Sequence, residues 1–255
     1  MKTTKKIAVA MAKGGTGKTT TAVNLAHALA MRGCRVLLVD CDTQSSASEF
    51  LGFERPEKTI ADCIVGEAPA NECFIEAREF LWLFGGGYGL LSLKTHLSRM
   101  DGPERLSVMK DFFANEGFGI LDYVVFDCAP GWDLLSLNIL AASDEIITPV
   151  SLEEMTIRTL PRFISQLRAG MTINPGLSLK YILPTFYDRR VKKSSRHLET
   201  LQERYGSLVC DPIRYNVRLS EAPESGKSIF ESSPRSTGAS DYQSFADHVI
   251  FSCQD

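Results

Sequence analysis

Short, continuously apolar runs recur along the chain at residues 7–11, 36–39, 81–84, 123–126, 146–150 and 179–183. Runs of that length, rich in β-branched residues, read as strands covered on both faces. Between most of them, apolar positions recur at helical spacing, over residues 19–31, 104–114, 134–142, 155–167 and 195–205. Strand alternating with helix predicts an α/β fold: a single doubly wound, mostly parallel sheet with helices on both faces. Gly33 stands where the first helix should stop, Pro161 is expected near the start of the fifth or at a kink in it, and Gly85-Gly86-Gly87-Tyr88-Gly89 reads as a turn. With no internal repeat and no low-complexity linker, residues 1–255 are expected to form one domain.

Composition narrows the setting. At 44% hydrophobic and 23% charged residues the chain is expected to be globular, and no apolar stretch reaches the 18 or so residues a membrane span needs. The seven cysteines form no C-x-x-C pair and are odd in number, which predicts neither a zinc site nor a disulfide framework and fits the reducing cytoplasm. The net charge of −3 is unevenly spread: residues 1–150 carry −5 and residues 151–255 carry +2. That permits a basic face toward a polyanion in the second part.

The chemistry is most legible at Lys13-Gly14-Gly15-Thr16-Gly17-Lys18-Thr19-Thr20, which follows an apolar strand and opens an amphipathic helix. Glycines let successive N–H groups turn toward phosphate oxygens, and the helix presents its positive end to the anion. This is the P-loop pattern, with Ala12 in place of the first glycine and an additional lysine at position 13. Gly14, Gly15, Thr16, Gly17 and Thr20 are the expected phosphate cradle. Lys18 is expected to neutralise the β- and γ-phosphates and the Thr19 hydroxyl to ligate Mg²⁺. Two aspartates then end apolar strands, where ligands of open α/β sheets bind. Asp127 reads as the Walker B carboxylate that holds Mg²⁺, and Asp40 and Asp42 straddle the other strand end, one for the metal waters and one for the attacking water.

The Lys-Gly-Gly-Thr-Gly-Lys-Thr-Thr-Thr run, with Val39-Asp40-Cys41-Asp42-Thr43-Gln44 downstream, resembles the deviant Walker A ATPases of the ParA/MinD branch. Ile182-Leu183-Pro184-Thr185-Phe186-Tyr187-Asp188-Arg189-Arg190 and Asn216-Val217-Arg218-Leu219-Ser220-Glu221-Ala222-Pro223 are similar to ParA in particular. The resemblance implies an ATP- and Mg²⁺-dependent ATPase whose homodimer sandwiches two nucleotides, with Lys13 reaching the partner's phosphates and Asp42 tied to water activation. It also implies base contacts around Arg214 and Asn216, and an ATP state that binds double-stranded DNA without sequence preference. The resemblance further implies an adaptor protein that stimulates hydrolysis and release, so that a cargo moves over the nucleoid. The chain departs from the pattern at Thr43, where the family has proline, and at Arg214-Tyr215, where Pro-Arg is common.

Arg189, Arg190, Lys192 and Lys193, joined by Arg196 and by Arg218 in the later motif, are the candidate DNA phosphate contacts. Three other readings compete. A MinD-like membrane-cycling protein needs a basic amphipathic C-terminal helix, and residues 241–255 hold no lysine or arginine. An iron–sulfur reductase needs cysteines placed to bridge a cluster between subunits, and Cys128, directly beside Asp127, has no suitable second cysteine to join it. A P-loop enzyme that acts on a small molecule remains the alternative within the same scaffold.

Overall fold

A computed structural model describes residues 3–54, 56–115 and 118–252; Cys253 and Asp255 lie outside the described residues. Seven strands form one sheet: β1 Lys5–Val9, β2 Val36–Cys41, β3 Phe74–Arg78, β4 Leu81–Phe84, β5 Tyr123–Cys128, β6 Glu145–Ser151 and β7 Ser178–Thr185. Their order is β3-β4-β2-β5-β1-β6-β7, and every pairing is parallel except that of β3 with β4. The helices in chain order are α1 Lys18–Met31, α2 Ser46–Phe50, α3 Ile60–Ile64, α4 Ala70–Cys73, α5 Gly89–Arg99 and α6 Val108–Asn115. They continue as α7 Leu134–Ala142, α8 Glu154–Met171, α9 Lys192–Tyr205, α10 Val217–Glu221, α11 Ile229–Ser232 and α12 Thr237–Phe251.

Because side chains alternate across a strand, the central strands feed two cores. Ile7 and Val9 of β1 join Leu25 and Leu29 of α1 with Tyr242 and Phe245 of α12 on one face. Ala8 of the same strand joins Phe126, Ile139 of α7 and Leu160 and Phe163 of α8 on the other. The sheet is therefore covered on both sides, as the run pattern predicts. α1 is buried along most of its circumference and is tied to the C-terminal elements by Thr21 Oγ1 to Tyr242 Oη at 3.1 Å and His27 Nδ1 to Ser228 Oγ at 2.7 Å.

Several features differ from the sequence reading: α5 was not expected, and the helix expected over residues 104–114 begins only at Val108, after a 3-10 turn over Pro103–Leu106. The edge strand β3 escaped that reading because half-buried Phe74 and Ile75 and buried Ala77 are interrupted by Glu76 and followed by Arg78, so that no apolar run forms. α12 covers α1 with small and aromatic residues whose pattern gives little apolar contrast. Pro161 lies well inside α8, which continues through it to Met171. What positions the site is the crossover: α1 leaves β1 on one face and α7 enters β6 on the other, so the carboxyl ends of β1, β2 and β5 open a crevice where the winding reverses.

Candidate nucleotide site

The loop between β1 and α1 turns on Gly15 and Gly17, whose φ angles of 71° and 86° are left-handed and favour glycine. Gly17 caps α1, so the N–H groups of its first turn carry no side-chain partner and face the loop. From β7, the Thr185 hydroxyl donates to the Thr16 carbonyl at 3.0 Å and fixes the loop to the sheet. Lys18 is almost entirely buried, and its ammonium donates to the Lys13 carbonyl at 3.1 Å, curling the loop around itself. Burial lowers the Lys18 pKa, opposed by the nearby charges of Asp127, Cys128 and Asp42.

Asp127 and Asp40 are direct neighbours in the β2–β5 register. Asp127 is buried, and neither carboxylate oxygen has a hydrogen-bond partner of ordinary geometry. Burial pushes its pKa well up, with Asp40 adding to the rise while the Thr19 hydroxyl and Lys18 oppose it. A buried, unsatisfied carboxylate beside a lysine and a threonine hydroxyl is the donor set a phosphate-bound Mg²⁺ requires, so Thr19 and Asp127 fit that ion. Among the described residues no group of three or more His, Cys, Asp or Glu side chains gathers as a metal cage. A Mg²⁺ here would therefore draw its remaining ligands from phosphate and water.

Asp40, which the sequence offers for the metal or its waters, is hydrogen-bonded within its own chain. Its Oδ2 accepts from the Ser48 amide at 2.9 Å and the Ser48 hydroxyl at 2.7 Å, and its Oδ1 from the Asp42 amide at 3.1 Å. Its oxygens are used in holding the following loop. Burial raises its pKa to about 6, with the Ser48 and Asp42 hydrogen bonds opposing the rise. Asp42 is the first residue past β2, half-buried, and its carboxylate accepts from the Gln44 amide at 3.0 Å.

Lys13 turns to its own chain: its ammonium contacts the Glu153 carboxylate at 3.2 Å and the Thr156 hydroxyl at 2.9 Å. Neither partner was foreseen, although Glu153 follows the end of β6 much as Asp42 follows β2. Trp132, next to the Asp127 strand, donates to Gln166 of α8 at 2.7 Å and packs on Phe163.

At the end of β7 the structure brings together residues that the sequence assigned to two tasks. Tyr187 pairs with Arg214, and a cavity of about 320 Å³ is lined by Tyr187, Asp188, Arg189, Arg190, Arg214, Tyr215 and Thr237. Arg214 is engaged by Asp241 through Nε and Nη2, and Asn216 caps α10 while donating to Thr237 at 3.0 Å. Arg190 grips Asp188 in a bidentate pair that holds the carboxyl down at about 2. Arg189, Lys192, Lys193 and Arg218 are exposed; Lys193 lies 3.8 Å from Glu154, and Arg218 pairs with Glu221 at 2.8 Å.

A doubly wound sheet with a glycine loop and a buried lysine at its switch point defines the P-loop nucleotide-binding class. Residues 4–178 match the family described as AAA domain. The chain is 31% identical to the chromosome partitioning protein ParA of Caulobacter vibrioides, over 96% of this chain and 93% of the relative. It is 35% identical to the chromosome-partitioning ATPase Soj of Thermus thermophilus, over 98% and 97%. A solved structure from Mycobacterium smegmatis, named cobyrinic acid a,c-diamide synthase and holding an ATP analogue and magnesium, superposes with a TM-score of 0.83 at 29% identity, over 97% and 94%. The chain belongs to the ParA/Soj family of partition ATPases. No described helix is long and apolar enough to cross a membrane.

Proposed function

We propose that the protein is a Mg²⁺-dependent ATPase that dimerises on ATP, binds double-stranded DNA without sequence preference in that state, and positions a cargo over the nucleoid until an adaptor protein stimulates hydrolysis. The observation that carries the nucleotide part is the unsatisfied Asp127 carboxylate beside Lys18 and Thr19 under the glycine loop. In this reading the loop amides and Lys18 hold the phosphates, Thr19 and Asp127 hold Mg²⁺, and Asp42 orients the attacking water. The metal supplies charge neutralisation at the phosphates. Lys13 exchanges Glu153 and Thr156 for the partner's nucleotide.

Dimerisation is supported by the exposed apolar residues that crowd the strand-end edge: Tyr88 after β4, Met155 after β6, and Phe186 and Val191 after β7, with Tyr215 and Val217 beside them. Exposed apolar side chains of this kind suit burial against a second copy of the chain. For DNA the support is the exposed run Arg189, Arg190, Lys192 and Lys193, with Arg218 nearby. If a dimer neutralises about six phosphates, affinity should fall roughly a thousandfold between about 50 and 200 mM salt.

The test compares anisotropy on random duplex DNA with light scattering on the same preparation. ATP should promote both DNA binding and dimerisation, ADP neither, and Arg218→Glu should weaken DNA binding while sparing the dimer. Equal DNA affinity in ADP and ATP refutes the reading. ATP turnover that depends instead on a small-molecule carboxylate would assign the protein to the synthase-like alternative, which the Mycobacterium smegmatis structure motivates.

A further inference from the structure

We propose that the glycine loop after β4, together with Ser48, is the support that positions Asp42, making Ser48 and Gly86 positioning residues for hydrolysis. The inference rests on the catalytic reading of Asp42 given above, and it concerns a segment whose sequence marks only a turn.

Asp42 has left the regular hydrogen bonding of β2, yet its backbone is gripped on both sides. Its N–H donates to Asp40 Oδ1 at 3.1 Å, and its carbonyl accepts from the Gly87 amide at 3.0 Å and the Ser45 amide at 3.0 Å. The second Asp40 oxygen accepts from the amide and hydroxyl of Ser48. That same hydroxyl accepts from the Gly86 amide at 3.1 Å. One path thus runs from Gly86 through Ser48 and Asp40 to the Asp42 amide, and a second runs from Gly87 straight to its carbonyl. Ser48 and Asp40 are fully buried, so each group in the first path depends on these partners rather than on water.

Close approach explains the glycines. A Cβ on Gly86 would stand 2.6 Å from Asp40 Cγ and 2.7 Å from the Asp42 carbonyl oxygen. The second contact is backbone and cannot swing aside, so any side chain there displaces the Asp42 loop. Gly87 has φ +123°, which side-chain-bearing residues rarely adopt, and a Cβ there would meet Ser45 Oγ at 2.8 Å. None of these contacts involves Lys18, Thr19 or Asp127. Loosening the support should therefore misplace the group that orients water and leave nucleotide binding alone. A displacement of about 1 Å in a catalytic group lowers rates on the order of a hundredfold.

The test is a double-mutant cycle. Ser48→Ala and Gly86→Ala are made alone and in the Asp42→Ala background, with ATP affinity read by calorimetry and hydrolysis by single turnover. The expected result is hydrolysis slower by about 10- to 100-fold, ATP affinity within about twofold of wild type, and no further slowing when Asp42 is already absent. Ser48→Ala removes one hydroxyl and keeps the test open if Gly86→Ala fails to fold. Normal turnover in Ser48→Ala, or slowing that adds in full to that of Asp42→Ala, overturns the support while leaving Asp42 as the catalytic group. Wild-type turnover in Asp42→Ala overturns the catalytic reading and the support with it.

Discussion

Asp40 and Asp127 occupy paired positions on adjacent parallel strands, both fully buried and both preceded by apolar residues, yet their surroundings are opposite. Asp40 is met by two amides and a hydroxyl; Asp127 is met by no hydrogen bond of ordinary geometry. The same signal in the chain therefore serves two tasks. On the proposed reading the carboxylate that accepts three hydrogen bonds supports its loop, and the one left unsatisfied beside a lysine receives the cation that comes with the nucleotide.

The contrast is sharpest in activity. Asp127→Ala should lower ATP turnover about a thousandfold or more with the fold intact, because on the proposed reading it removes one of the two side chains that hold the metal, the other being Thr19. Asp40→Ala should lower it by only about 10- to 100-fold, through the loosened Asp42 loop. Steady-state rates on folded preparations check both, and equal losses would erase the distinction.

Stability should move in opposite directions. Asp40→Ala strands the Ser48 and Asp42 donors and should destabilise the nucleotide-free protein by about 2–4 kcal/mol. Asp127→Asn removes a buried, unpaired charge and should raise stability by about 1 kcal/mol. Urea denaturation in EDTA measures each. A parallel comparison applies to the flanking polar groups: Asp42→Ala should accumulate as an ATP dimer that hydrolyses slowly, and Lys13→Ala should fail to dimerise, as read by sedimentation.

The smallest effect is in pH. The Asp40 pKa of about 6 lies above its ordinary value of 3.8, so its ionised form disfavours the fold above pH 6. That penalty fades as pH falls through 6 toward 4, so the carboxyl favours folding more strongly on acidification across this window. Asp127, also raised, acts in the same direction. Thermal melts of the nucleotide-free protein should show Asp40→Asn gaining less than wild type between about pH 7 and 5.

Much of this was legible in the chain. The glycine loop, Lys18 and the strand-ending aspartates stand out by local chemistry, and the structure gathers them at the carboxyl ends of β1, β2 and β5; the apolar runs give five of the six parallel strands nearly in full, with β1 displaced by two residues toward its start. What could not be read depends on distant partners. The apolar runs before them do not distinguish Asp40 from Asp127; Asp40's partners Asp42 and Ser48 lie two and eight residues away, whereas Gly86, which bonds to Ser48, is brought there only when β2 and β4 pair. Lys13 likewise gives no hint of Glu153 and Thr156, which lie 140 and 143 residues away. Arg190 and Arg218 meet carboxylates two and three residues away, Asp188 and Glu221, whereas the partner of Arg214, Asp241, lies 27 residues on and is brought to it only by the fold.

The most direct measurement is a calorimetric titration of ATP with and without Mg²⁺ into wild type, Asp127→Asn and Asp40→Asn. Mg²⁺ should strengthen ATP binding in wild type and in Asp40→Asn, and this strengthening should be largely lost in Asp127→Asn. Retention of the full Mg²⁺ effect in Asp127→Asn, or its loss in Asp40→Asn alone, would contradict the assignment of the two aspartates.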